Sequence, residues 1–220
     1  MKIHSFKVEI ILFFLILIFF IVPPITYVFF NTVNTIEFNN SLISPFLLVQ
    51  FLLTLFLYIF YNEKNKDSLS ISKLFFRIIL PSTFTLSFLF FISLIFKYIS
   101  IKTEGNISNI DIFKPDTFVL WILCIINFFI SAFYEEIIYR FYLSDIILNF
   151  LKIKKIYIKI IIEAFVLILF ALAHLYSGWL SVLNAAIAHI ILRLCYKFTG
   201  SIFPGVLAHF VYNIISLILL

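Results

Sequence analysis

Long apolar runs separated by short polar breaks dominate the pattern along the chain. They are apolar on every face, so neither a two-residue alternation nor the single stripe of a soluble helix describes them. A hydrocarbon core of about 30 Å takes roughly 20 helical residues, and the runs predict spans near 8–30, 44–61, 74–96, 117–135, 160–176, 179–197 and 203–220. Backbone amides in lipid need internal partners, and the absence of ten-residue alternating pieces favours helices over a barrel. The expected fold is all-α, a polytopic transmembrane helical bundle of about seven spans. One stretch leaves the count open: from Thr117 to Phe150 only Glu135, Glu136, Arg140 and Asp145 carry charge. As one helix it would be about 51 Å long. It reads as a span continuing into an interfacial segment; division into two shorter helices would make eight spans.

Composition narrows the class further. With 64% apolar and 12% charged residues and a mean hydropathy of +1.17, a soluble surface is excluded. The 220 residues leave no room for a separate soluble domain, so 1–220 is read as one integral membrane domain. Lys2 and Lys7 precede the first run as in a secretory signal, but no small-residue cleavage site follows and an uncleaved span is expected. Cys124 and Cys195 fall inside apolar runs and read as buried and inert.

Basic residues alternate between connections. Lys64, Lys66 and Lys73 follow the second span, Lys152, Lys154, Lys155 and Lys159 the fourth, and Arg193 and Lys197 the sixth. Those sides are expected to be cytoplasmic, with the N-terminus inside and the C-terminus outside. Lys152 to Lys159 reads as a segment attracted to anionic lipid, and Asp145 and Glu163 as its solvated rim. The bilayer is the expected partner and nucleic acid is not; the oligomeric state is open.

A charge at membrane depth is costly and marks a function or a pairing. In 1–116 only Glu9, Gln50 and Arg77 qualify, two of them near span ends where side chains snorkel. From Asn127 onward polar groups accumulate. Asn127, Ser131 and Glu135 recur every four residues and form one polar stripe. Glu136 lies about 100° around the helix and four residues before Arg140, which can neutralise it and leave Glu135 free. Alone, this string fits equally an ion pair that only orients helices. Phe170-Ala-Leu-Ala-His174 ends the fifth run, and His209-Phe-Val-Tyr-Asn213 opens the seventh after Pro204 and Gly205. His189 reads as a packed residue.

A carboxylate, two histidines and an amide on three helices can form one hydrolytic site. Glu135 with His174 can hold and deprotonate water, while His209 and Asn213 can donate to the oxyanion of a tetrahedral intermediate. Depth is the demanding condition. His174 lies 15 residues, about 22 Å, from Lys159, and His209 nine residues, about 13 Å, from Gly200. Straight helices leave the two at different levels; an interfacial start to the fifth helix, or tilt, would align them.

In order and spacing, Glu135-Glu136-Ile-Ile-Tyr-Arg140, Phe170-Ala-Leu-Ala-His174 and His209-Phe-Val-Tyr-Asn213 resemble the motifs of the CPBP intramembrane proteases, a family that includes CAAX prenyl endopeptidases and bacterial bacteriocin-processing or self-immunity (Abi) proteins. The resemblance covers about 117–220, with 1–116 carrying no recognised motif. It implies peptide-bond hydrolysis in the membrane, probed by a membrane peptide or protein substrate, with Glu135 and His174 on the water and His209 and Asn213 as the oxyanion hole. Glu136, Arg140 and Phe170 are then supporting residues. Bacterial members point to a bacterial cytoplasmic membrane. No metal is expected in the favoured reading, since Asn213 is a poor zinc ligand but a good donor; the alternative is a divalent metal such as zinc at Glu135, His174 and His209. The other functional reading is a non-catalytic membrane immunity or assembly protein that binds a bacteriocin or partner subunit. A transporter would call for paired broken helices in two repeats, which the sequence lacks.

Overall fold

The computed structural model describes residues 6–30, 35–37, 44–61, 75–102 and 111–219. Within them the chain forms seven helical rods. The first, α1, runs from Phe6–Ile16 through a π-helical turn at Leu17–Ile21 into Val22–Phe30. It is followed by α2 (Pro45–Tyr61), by α3 (Phe75–Ile79 in π geometry, then Leu80–Lys102) and by α4 (Phe118–Glu135, a π stretch Glu136–Ile146, then Ile147–Phe150). The last three are α5 (Ile156–Leu172), α6 (Trp179–Thr199) and α7 (Phe203–Leu219). Four segments are long and apolar enough to cross a membrane: Lys7–Thr26, Phe75–Lys102, Phe118–Phe150 and Trp179–Thr199. Pro45–Tyr61 and Phe203–Leu219 are shorter apolar helices. The helical membrane bundle expected from the sequence is therefore present, and 117–150 is one uninterrupted rod instead of two helices. Among the described residues the only β structure is a parallel pair, β1 (Thr35–Glu37) with β2 (Asp111–Phe113).

With lipid outside, helices associate through close packing and hydrogen bonds, not through exclusion of water. Accordingly Phe88, Phe91, Leu94, Ile160, Ile161 and Phe165 face outward, while Ile137, Ile138, Tyr142, Val166, Phe170, Ala185 and Val206 form the centre. The rod α3 packs on α6 and α7, α4 on α7 and α2, and α5 on α6. Polar ties hold α1 to α2: Gln50 donates through Nε2 to the Phe19 carbonyl at 2.7 Å, and Tyr61 donates to Glu9 at 2.6 Å.

Three sequence expectations need correction. Glu9 does not snorkel; it is buried and takes the Tyr61 hydroxyl. Arg193 and Lys197 are not in a connection but inside α6. Asp145 and Glu163 are more than a solvated rim; 34% and 23% exposed, both pair with the buried Arg193. For Glu9 and Arg193 the reason is the same, because a buried charge is tolerated when its hydrogen-bonding groups are met by partners, and those partners lie 30 to 52 residues away in sequence.

Candidate active site

The two carboxylates sit where α4 changes its winding. The α-helical part ends at Glu135 and the π stretch starts at Glu136. In π geometry carbonyls are served five residues on instead of four, and such segments are frequent at functional sites. Here two side-chain donors of the stretch reach back five residues: Ser144 Oγ to the Tyr139 carbonyl at 2.8 Å and Arg140 Nη1 to the Glu135 carbonyl at 3.3 Å.

Glu136 is the more deeply enclosed carboxylate. Its Oε1 takes His209 Nδ1 at 3.1 Å and stands 3.6 Å from Arg140 Nη1. The pairing of Glu136 with Arg140 follows the spacing expected from the sequence. Glu135 remains without a cation of its own. Its Oε2 is buried without a hydrogen-bond partner and lies 3.8 Å from His209 Nε2, too far for a direct hydrogen bond. His209 is thus held between two adjacent carboxylates, one ring nitrogen toward each.

That closeness depends on Gly205. A Cβ built there would stand 2.8 Å from Glu136 Oε2, so only a residue without a side chain lets α7 approach α4 so closely. Gly205 lies one turn before His209, and Asn213, half-buried, lies one turn after it on the same face.

His174 sits just past the end of α5, in the turn before the short 3-10 segment Leu175–Ser177. Its Nδ1 is 3.0 Å from the Phe170 carbonyl. A carbonyl only accepts, so this contact fixes the proton on Nδ1 and leaves the Nε2 lone pair to hold another donor. His174 lies within electrostatic reach of Glu135 and His209. The depth mismatch between the two histidines does not arise. Lys159 lies within α5, so distance from it is not distance from the membrane surface. The Phe170 ring stands 4.1 Å from the Arg140 guanidinium and 4.8 Å from the His174 ring, which brings α5 level with the carboxylates.

Sequence reasoning missed several neighbours. Tyr134, Tyr139 and Tyr176 are all within electrostatic reach of Glu135. His189 is buried 5.3 Å from the Phe170 ring, with no partner for Nδ1, in keeping with its reading as a packed residue. Nothing in their spacing announces them, since each comes from an apolar run and is brought in by packing. Among the described residues, no three His, Cys, Asp or Glu groups gather as ligands for a metal ion.

Residues 117–215 match the family described as type II CAAX prenyl endopeptidase Rce1-like. Over this segment the chain is similar to the Rce1-like family. The match is consistent with a CPBP intramembrane protease and spans α4 to all but the last turn of α7. That family is one of peptide-bond hydrolases. No curated protein and no solved structure matches the chain.

Proposed function

We propose that the Rce1-like chain is an intramembrane endopeptidase that hydrolyses a membrane-associated peptide with water activated by Glu135 and His174, without a metal ion. The observation that carries this reading is the buried, unpartnered Glu135 Oε2 at 3.8 Å from His209 Nε2. The gap suits a water or a substrate oxygen that touches both groups. His174 Nε2, left with its lone pair, accepts a hydrogen bond from that water and aims it, while Glu135 takes its proton. The resulting hydroxide attacks the scissile carbonyl carbon. The oxyanion is met by Asn213 and by His209, whose Nδ1 proton is committed to Glu136 and whose donor toward the oxyanion is therefore a second proton at Nε2. Glu135 then passes its proton to the departing amine as the C–N bond breaks. Low dielectric strengthens each of these contacts.

The family name supplies the first substrate to try, a prenylated CAAX peptide; bacteriocin maturation or self-immunity is the cellular role to which the same chemistry extends. The full chain in liposomes, given membrane-anchored reporter peptides, is expected to cleave one class of them. Glu135→Gln and His174→Ala should insert normally and lose cleavage, and Asn213→Ala should slow it by about a hundredfold, the usual effect of one lost oxyanion donor. Cleavage by Glu135→Gln at the wild-type rate would sink the reading. Protection of cells against a peptide toxin by both inactive variants would favour the non-catalytic binding protein instead. Chelators are expected to leave the rate unchanged; a loss restored by zinc would replace the metal-free scheme.

A further inference from the structure

We propose that Arg193, on α6 and outside the three motifs, is a positioning residue for the catalytic carboxylates, acting through the backbone of Arg140. This rests on the endopeptidase reading above. Arg193 is buried, and its donors are spent on three groups of two other elements. Nε and Nη2 grip the Glu163 carboxylate of α5, with Nη2 at 2.6 Å from Oε1. Nη2 also meets Asp145 Oδ1 of α4. Nη1 donates to the Arg140 main-chain carbonyl at 2.6 Å.

The last contact carries the inference. Arg140 lies inside the π stretch, where the winding differs from that of the α-helix before it. The same device recurs in α1, where Gln50 of another helix donates to Phe19 inside the π turn Leu17–Ile21. In both places a side chain from a neighbouring rod supplies the donor at a π-helical carbonyl. At α4 the consequence reaches the site, because the Arg140 side chain stands against Glu136 and Glu136 holds His209 Nδ1. The series Asp145 and Glu163, Arg193, Arg140, Glu136, His209 is continuous from the groove between α4, α5 and α6 to the catalytic histidine.

Only arginine suits the post. A planar guanidinium reaches two carboxylates and a carbonyl at once, whereas an ammonium is a single point of charge. Arg193→Lys keeps the cation beside the partly exposed Asp145 and Glu163, so these carboxylates stay compensated, but it removes the fork that reaches Arg140. Small displacements of reacting groups cost up to about a hundredfold in rate.

The full chain in liposomes is assayed for kcat and KM on a peptide that the wild type cleaves and Glu135→Gln does not, and the His209 ring nitrogens are followed by NMR in 15N-histidine protein, assigned with His209→Gln. Arg193→Lys is expected to lower kcat by about tenfold or more with KM within twofold, and to move the His209 Nδ1 resonance. Where Arg193→Lys fails to accumulate, Asp145→Asn serves, with a smaller fall in kcat and a shift of the same resonance. An unchanged kcat per folded molecule, or an unmoved Nδ1 resonance in a folded variant, overturns the proposal even if cleavage by Glu135 stands. If no peptide is cleaved, or Glu135→Gln cleaves as well as wild type, the endopeptidase reading fails and the resonance alone decides whether Arg193 governs His209.

Discussion

At the scale of single residues, the site depends on atoms that are absent as much as on those present. Gly205 makes the point, because its missing Cβ is what lets His209 reach Glu136. In Gly205→Ala the methyl meets a carboxylate already held by His209 and near Arg140, so the carboxylate cannot swing aside without leaving them. The variant is expected to accumulate in the membrane but to cleave at least about tenfold more slowly, measured as kcat in liposomes. Phe170 supports the opposite side. Its ring faces the Arg140 guanidinium at 4.1 Å and contacts the rings of Tyr139, His174 and His189. Phe170→Leu keeps much of the volume but gives up the aromatic face, and with it a cation–π contact worth about 2 kcal/mol when desolvated. Lower thermal stability in detergent together with reduced kcat is the expected result; unchanged values of both would remove Phe170 from the supporting set. Of these residues, the sequence made Glu135, Glu136, Arg140, His174, His209 and Asn213 legible, because four-residue spacing on a helix is a local property. Gly205 and Arg193 were not legible in these roles, since a glycine's close neighbour and an arginine's distant partners exist only after packing.

At the scale of elements, hydropathy located all seven rods, and where it erred the physical cause is visible. The fifth begins at Ile156, four residues before the run expected from 160, because Lys159 can enter a helix's first turn with its ammonium extended toward the headgroups. The fourth continues past 135 as one rod to Phe150, its extra polar residues being absorbed by partners on α5, α6 and α7. Hydropathy measures the solvent a segment prefers, and it cannot separate a charge that faces water from one that faces another charge. The tie between α1 and α2 obeys the same rule. Glu9 is buried, and Tyr61 supplies its hydrogen bond. Tyr61→Phe leaves the carboxyl without that donor and is expected to lower stability by about 1–3 kcal/mol, read as an earlier unfolding transition in detergent. The hydroxyl is on α2 and bonds Glu9 of α1, not a carboxylate of α4, so kcat per folded molecule should not change. A large loss of kcat would mean that α1 and α2 set the geometry of the site.

At the scale of the whole molecule, the parity of the rods decides from which side a substrate approaches. Where all seven rods cross the membrane, the connections after α2, α4 and α6 lie at one face and those after α1, α3 and α5 at the other. The pairing of β1 with β2 supports this parity independently of hydropathy, for it brings the connection after α1 into register with the connection after α3, Thr35 opposite Asp111 and Glu37 opposite Phe113. An odd number of spans between them would have carried the two strands to opposite faces. The lysines at 152, 154 and 155 lie in the short connection after α4, and excess basic charge favours the cytoplasmic side. Cysteine labelling checks the arrangement, since the native thiols Cys124 and Cys195 are buried and give a low background. In cells, a membrane-impermeant maleimide is expected to leave Lys154→Cys unlabelled until the membrane is opened, and to label Glu37→Cys from outside. The reverse pattern would invert the molecule, and labelling of both from outside would break the parity. With the expected pattern, the connection between α6 and α7 is cytoplasmic too, and His209 stands two turns into α7 from it, at Phe203. A peptide delivered from the cytoplasmic leaflet then has the shorter path to the paired carboxylates, and reporters whose scissile bond lies in that leaflet should be cleaved faster than those anchored in the outer one.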